Sequence, residues 1–222
     1  MRIVTSGEQC QTYEYDVFMP RGARTQSAAT AVGDDPRDRI LAGADRCIAR
    51  YGVRKTTMED IASEVGMSRP GVYRYFSDRD DLLLALVTRH AQVLRDRAHK
   101  VIARQACLQD QIVEGLLYTV SEARLDPVAR YIVDPEGSGL GRRYIESRMS
   151  ETMSATFFDP ALDIAYVNNE LPRDLPRSDV YLWLASLALM LMRGLEDGEA
   201  DLARYRTILR RFVAPAFASP QK

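Results

Sequence analysis

The sequence predicts an all-α fold, with an N-terminal three-helix bundle and a larger C-terminal helical domain, about nine helices in all. Apolar residues recur at helical spacing from Pro36 onward. Segments rich in proline or glycine, such as "VDPEGSG" and "LEDGEAD", separate these periodic runs. No convincing run of alternating apolar and polar residues occurs, so no sheet is expected.

Residues 1–34 are expected to form a flexible N-terminal arm. The stretch "PRGARTQSAATAVGDDP" is rich in small and polar residues and has no apolar period. Its two arginines, Arg21 and Arg24, leave open a basic arm, beside the simpler alternative of a tail with incidental charges. Residues 218–222 are expected to be a short C-terminal tail.

The first two helices carry clear end signals. A helix is expected over 36–51, because an aspartate and a proline precede its apolar period and a glycine follows it. The second helix is expected to begin at Thr56 or Thr57, since Thr56 and Glu59 have the spacing of a capping box. Gly66 ends this second helix.

The third helix is expected from its cap, Ser68, through Phe76, with Pro70 tolerated in the first turn. Ser77 or Asp78 then caps a fourth helix of roughly 25 residues that keeps the apolar period throughout. Residues 160–170 are ambiguous. Further helices are expected at about 109–124, 127–133, 139–157, 178–195 and 200–217.

Composition excludes several classes of protein. With a net charge of −1, a polyanion can be bound only by a local basic patch. The cysteines Cys10, Cys47 and Cys107 form no CxxC pair, which favours a reducing, cytoplasmic location without disulfides or a zinc site. The most apolar window, 180–192, is shorter than the ~20 residues that span a bilayer, so no membrane partner is expected. No metal or cofactor is expected, and no phosphate-binding glycine loop, GxSxG or HExxH motif predicts catalytic residues.

The third helix has a composition that packing alone does not explain. Val72 and Phe76 lie four residues apart and supply an apolar side. The rest of the helix offers arginine and tyrosine side chains, which can bond base edges or phosphates. Ser68 and the free amides of the helix start suit an anion. The two short helices joined by "VGMS" therefore predict a helix-turn-helix, whose second helix lies in the DNA major groove.

Residues 40–83 resemble the DNA-binding domain of TetR-family transcriptional regulators. The matching segments are "ILAGADRCIARYG", "TTMEDIASEVGMS" and "VYRYFSDRDDLL". The sequence departs from the family at Pro70, where glycine is common, at Cys47-Ile48, where Leu-Phe is usual, and at Arg79, where lysine is usual. The resemblance implies a DNA-binding domain over 35–80. Ser68 is included because it lies at the helix start, whose free amides suit an anion, and the other contacts are those that the resemblance implies. The predicted DNA contacts are Thr57, Ser68, Arg69, Pro70, Gly71, Tyr73, Arg74, Tyr75 and Arg79.

The resemblance also implies that residues 81–217 bind a ligand and pair two subunits into a homodimer. Pairing is expected through the last two long helices, because "SDVYLWLASLALMLMRG" is apolar on most faces. The alternative is that both helices fill the core of one subunit. Aromatic and methionine side chains in the middle helices suit a lipophilic cavity, although each also suits ordinary core packing. The candidates are Tyr118, Tyr144, Met149, Met153, Phe157, Trp183 and Met190.

Other charged and titratable residues are expected to be structural. Arg142, Arg143 and Arg148 are interpreted as a solvated helix face, with an acidic ligand as the alternative. His90 and His99 lie nine residues apart on one helix, which is not a metal-binding spacing. Both are expected at the surface or between helices.

The leading hypothesis is a ligand-responsive DNA-binding repressor. The homodimer would bind a pseudo-palindromic double-stranded operator and would be released from it by a small lipophilic or acyl-type molecule. One alternative is a transcriptional activator, or a regulator that has no small-molecule ligand. The other alternative is a helical enzyme.

Overall fold

Every regular element in the described part of the chain is helical, which confirms the prediction of an all-α fold. The predicted arm, 1–34, and the predicted tail, 218–222, lie outside that part. No helix within it is long and apolar enough to cross a membrane. The computed structural model describes residues 35–134, 139–172, 174–195 and 199–217.

Ten α-helices and a final 3-10 turn follow one another along the described residues. They are α1 (Pro36–Tyr51), α2 (Met58–Glu64), α3 (Arg69–Tyr73), α4 (Arg79–Ala103), α5 (Leu108–Ala123), α6 (Pro127–Val133), α7 (Leu140–Glu146), α8 (Arg148–Val167), α9 (Arg177–Gly194), α10 (Glu199–Phe212) and the 3-10 turn (Ala214–Phe217).

Helices α1–α3 pack into a small bundle around buried apolar side chains such as Ile61, Val72 and Phe76. The first two helices approach each other closely at Gly43, where an added Cβ would lie only 2.2 Å from Cγ1 of Val65. A larger residue at this position would force α1 and α2 apart. The spacing of the two helices thus depends on the absence of a side chain there.

The turn between α2 and α3 depends on Gly66, whose φ of +68° is rarely adopted by residues with a side chain. At the other end of α2, the predicted pair Thr56 and Glu59 is one residue too early. Thr57 caps the helix: its hydroxyl accepts from the Asp60 amide at 3.2 Å, and the Asp60 carboxylate accepts from the Thr57 amide at 2.9 Å. Thr56 is buried, and its hydroxyl donates to a carbonyl of the preceding turn.

Helix α4 belongs to both parts of the molecule. Near its start, Leu82 and Leu86 are buried in the core shared with α1–α3. Near its end, Ala98 and Ile102 are buried in the core of the C-terminal helices. The same helix also packs along α5 and α8. Helix α4 therefore connects the core of the N-terminal bundle to the core of the C-terminal helices.

The prediction of one helix over 139–157 is wrong. Two helices, α7 and α8, meet at Ser147, whose extended backbone interrupts the first and whose hydroxyl caps the second. Helix α8 then continues through Pro160, in the region that the sequence left ambiguous. Buried apolar residues on both sides of this proline hold the helix together despite the lost main-chain hydrogen bond. The last α-helix ends at Phe212, before the predicted residue 217, and a separate 3-10 turn follows it.

Candidate DNA-binding surface and ligand cavity

Helix α3 and the turn after it present a polar face to solvent. Val72 and Phe76 are 0% and 1% exposed, so the apolar side faces the bundle as the four-residue spacing predicted. The helix is shorter than expected, but main-chain hydrogen bonds to the Val72 carbonyl continue the turn as far as Phe76. The arginines and tyrosines of this segment, Arg69, Tyr73, Arg74 and Tyr75, are all exposed.

The start of α3 is fixed before any partner binds. Ser68 is the cap, and its hydroxyl accepts from the Gly71 amide at 3.2 Å, while Pro70 occupies the first turn. The Arg69 guanidinium donates to the Tyr73 hydroxyl at 3.4 Å and lies 5.5 Å from the centre of the Tyr73 ring. The local contacts therefore place a cation and a phenol side by side on the outer face.

Two predicted DNA contacts have partners inside the protein. Thr57 is exposed, but its hydroxyl lies 2.6 Å from a carboxylate oxygen of the α2 capping box. Arg79 is half-buried and donates to the main-chain carbonyls of Thr56, at 2.9 Å, and of Val53. Its guanidinium also lies 5.3 Å from the centre of the Tyr131 ring. Arg79 thus fastens the α1–α2 turn to α4 and α6, and a phosphate contact by either residue stays a prediction.

A cavity of about 110 Å³ lies among α4, α5, α6, α7, α8 and α9. Its walls are mostly aliphatic and aromatic. Thr119 and Ser154 line it, but their hydroxyls donate to main-chain carbonyls at 2.8 Å and 3.1 Å. The other polar side chains of the lining are His90, Asp126 and Tyr144. An apolar lining with a few polar groups is typical of small-molecule sites, although this cavity is smaller than most of them.

Of the seven residues predicted to contact a ligand, Tyr144, Met153 and Phe157 line this cavity. Trp183 and Met190 lie on the outer face of α9, where they are 36% and 45% exposed. Because α9 is apolar on most faces, its residue spacing could not show which side meets the cavity. The candidates that lie outside the lining are Tyr118, Met149, Trp183 and Met190, and a ligand contact by any of the seven stays a prediction.

His90 connects the cavity to the N-terminal bundle, and sequence reasoning did not place it in a functional site. Its Nδ1 donates to Asp126 at 2.5 Å, and its Nε2 donates to Asp45 of α1 at 2.9 Å. Burial lowers the pKa of His90, but the two carboxylates outweigh that effect and raise the pKa to about 9. Burial acts against ionisation of Asp126, yet its bonds to His90 and to the α6 amides keep its pKa below the ordinary value. The sequence gives one signal for this site. In "LDP", residues 125–127, the aspartate before proline indicates that Asp126 caps a helix.

The cluster of His90, Asp45 and Asp126 should make the free energy of unfolding depend on pH. Since the pKa of His90 is raised in the folded state, its stabilising contribution is complete below its ordinary pKa of 6.5 and is lost as pH rises through about 9. We expect His90→Gln to lower the free energy of unfolding by about 1–3 kcal/mol at pH 6 and by much less at pH 9.5. Urea denaturation across that range measures it. His99→Gln is the control, because the His99 ring meets a main-chain carbonyl at 2.8 Å; a deficit of His90→Gln that is independent of pH would contradict the assignment.

Helix α6 joins the wall of the cavity to the helix-turn-helix. One of its sides lines the cavity. On another side, the Tyr131 ring lies 5.9 Å and 5.3 Å from the guanidinium carbons of Arg54 and Arg79. Beside it, Arg143 of α7 pairs with Asp78, the cap of α4, at 2.9 Å. Helix α6 therefore contacts both the cavity and the arginines next to the N-terminal bundle.

Known proteins resemble this chain in sequence. Residues 40–86 match the model of the family described as bacterial regulatory proteins, tetR family. An uncharacterised HTH-type transcriptional regulator of Mycobacterium tuberculosis is 32% identical over 52% of this chain, which spans only 57% of that relative's length. An HTH-type transcriptional repressor of the same species is 29% identical over 71% of this chain and 83% of that protein. The repressor AcnR of Corynebacterium efficiens is 36% identical over 49% of this chain and 58% of that protein.

Solved structures share the fold. The TetR-family repressor AlkX of a Dietzia strain, implicated in biodegradation of n-alkanes, superposes with a TM-score of 0.55 at 17% identity, over 82% of this chain and 95% of AlkX. The repressor FadR of Thermus thermophilus, solved in complex with lauroyl-CoA, gives a TM-score of 0.55 at 16% identity, over 84% of this chain and 97% of FadR. Residues 40–86 thus carry a helix-turn-helix domain of the tetR type, and the described chain shares its fold with TetR-family repressors.

Proposed function

We propose that the protein is a homodimeric repressor that binds a pseudo-palindromic operator and leaves it when a small lipophilic molecule occupies the cavity. The exposed face of α3 carries this proposal. Its two arginines and two tyrosines are exposed on the side opposite the buried Val72 and Phe76, so they can contact a partner. Arginine can fork onto guanine or phosphate, and tyrosine can donate to phosphate.

The dimer is supported by apolar side chains left exposed on the last two helices. Leu182 and Met190 of α9 are 47% and 45% exposed, and Phe212 at the end of α10 is 71% exposed. Large apolar side chains that are left exposed are a feature of surfaces covered by a partner. A two-fold axis would bring the same surface of a second copy onto it. In such a dimer, the two α3 helices are expected about 34–36 Å apart, one turn of the DNA helix.

Release by a ligand is supported by the position of the cavity. Its wall includes α4, which is buried in both cores, and α6, which supports Arg54 and Arg79. A ligand that fits better when these helices move would favour a second spacing of the two α3 helices. The complex of FadR with lauroyl-CoA is an example of this fold holding an acyl chain.

Selection of operators from random duplex DNA by the full chain tests the function. We expect enriched sequences with two inverted half-sites whose centres lie about 10 base pairs apart, because two copies of one helix read the same bases on opposite strands. Enrichment of sequences without two-fold symmetry, or the absence of any enrichment, would overturn the proposal. Native mass spectrometry of the protein purified from its own host identifies a bound molecule, whose addition should release the selected DNA.

A further inference from the structure

We propose that the cavity takes a neutral, largely hydrocarbon molecule that carries one hydrogen-bond acceptor, such as a ketone, ester or ether oxygen, and that it excludes anions. The assignment rests on the proposed function, in which this cavity is the ligand site, and it narrows the class of ligand. Two independent features of the lining lead to it. One is an unpaired hydroxyl. The other is the sign of the charge at the polar corner, which is the part of the lining formed by His90 and Asp126.

The unpaired hydroxyl belongs to Tyr144. This residue is only 7% exposed and lines the cavity from α7. Its hydroxyl has no hydrogen-bond partner among the described residues, and burial raises its pKa, so it stays a protonated donor. A ligand oxygen inside the cavity could accept a hydrogen bond from this hydroxyl. The phenol therefore selects an acceptor.

The polar corner carries a net negative charge. His90 is the one cationic side chain among the described residues of the lining, and it already donates to two carboxylates, Asp126 and Asp45. One positive and two negative charges leave this corner at −1. A carboxylate or phosphate on a ligand would meet repulsion there and would find no free cation to replace its lost hydration.

The three arginines for which an acidic ligand was the alternative, Arg142, Arg143 and Arg148, lie outside the cavity lining. The Arg142 guanidinium donates to Glu146 at 2.7 Å on an exposed helix face. The Arg143 guanidinium pairs with Asp78 at 2.9 Å. Neither residue lines the cavity, and Arg148 does not line it either. These positions leave the apolar walls, Tyr144 and the acidic corner to decide which molecules bind.

Calorimetric titration of the full chain with three probes of similar size tests the assignment. Acetophenone is neutral with one acceptor, ethylbenzene is neutral without one, and benzoate is an anion. We expect acetophenone to bind most tightly and benzoate to bind roughly tenfold or more weakly. Benzoate binding as tightly as acetophenone, or no binding by any probe, would overturn the proposal.

Two variants separate the two features. Tyr144→Phe should weaken acetophenone binding by roughly 2- to 10-fold and leave ethylbenzene unchanged, because one hydrogen bond is removed. Asp126→Asn keeps a capping oxygen for α6 and should strengthen benzoate binding, since the corner becomes neutral. Asp45→Asn makes the same change of charge outside the lining, so it should increase the affinity for benzoate less than Asp126→Asn does. An unchanged affinity of Tyr144→Phe for acetophenone, or of Asp126→Asn for benzoate, would overturn the corresponding half of the assignment.

Release of operator DNA is measured separately with the same probes. If the probes bind in the expected order but the affinity for DNA does not change, the chemistry of the cavity is supported and ligand-controlled repression fails. If DNA is released by benzoate and not by acetophenone, the cavity assignment fails while ligand control stands.

Discussion

Arg74→Ala is expected to lower the affinity for operator DNA on the order of 100- to 10,000-fold, because a contact worth about 1–3 kcal/mol is lost in each of two half-sites. Arg74 is exposed at the C-terminal end of α3, and its side chain has no ion pair or hydrogen bond within the described residues. Its removal should leave the fold intact, since Val72 and Phe76 hold the helix in place. Fluorescence anisotropy with labelled operator at fixed salt measures the affinity.

The control for this prediction is Arg104→Ala. Arg104 is also exposed and is the residue after α4, at the end of that helix opposite to the N-terminal bundle. The Arg104→Ala substitution removes one positive charge and leaves α3 unchanged, so the affinity for DNA should change little. If Arg74 contacts a phosphate, its variant should also show a smaller dependence of affinity on salt concentration. Equal losses in the two variants would mean that general charge, and not α3, governs binding.

The face that α3 exposes could be predicted because the signal is local. The four-residue spacing of Val72 and Phe76 fixes which side is buried, and a short helix then leaves its other residues outside. The role of Arg79 could not be predicted in this way. Its partners include carbonyls of Val53 and Thr56, which lie more than twenty positions earlier in the chain. Spacing along one helix carries no information about such partners.

The cavity could be predicted only in part for the same reason. Tyr144, Met153 and Phe157 line it, but the sequence distinguishes them only by their bulk and apolar character and not by their position. His90 and Asp126 are 36 positions apart, and only the packing of α4 against α6 brings them together. The cap at Ser147, which divides α7 from α8 and thereby helps to place Tyr144, was hidden because apolar residues continue on both sides of it.

The double variant Leu182→Glu, Met190→Glu is expected to dissociate the proposed dimer. Both side chains lie on the exposed stripe of α9 that also includes Ser186, at steps of four residues. In a two-fold interface each substitution occurs twice, so four apolar contacts worth about 1.5–3 kcal/mol each are replaced by carboxylates. The dissociation constant of the dimer should rise on the order of 10,000-fold or more. Sedimentation equilibrium measures it, and circular dichroism should show unchanged helix content because neither residue is buried in the monomer.

A matched pair of substitutions on another surface makes this result specific. Ile164 and Val167 of α8 are 60% and 80% exposed, so Ile164→Glu, Val167→Glu adds the same charge to apolar side chains that are more accessible than Leu182 and Met190. This control should remain dimeric and should bind operator normally, whereas the α9 variant should bind DNA only as independent weak half-sites. A dimeric α9 variant beside a monomeric α8 control would move the interface to α8. The spacing of the two α3 helices would then be set by α8 and not by the last two long helices, and ligand control would have to act through that surface.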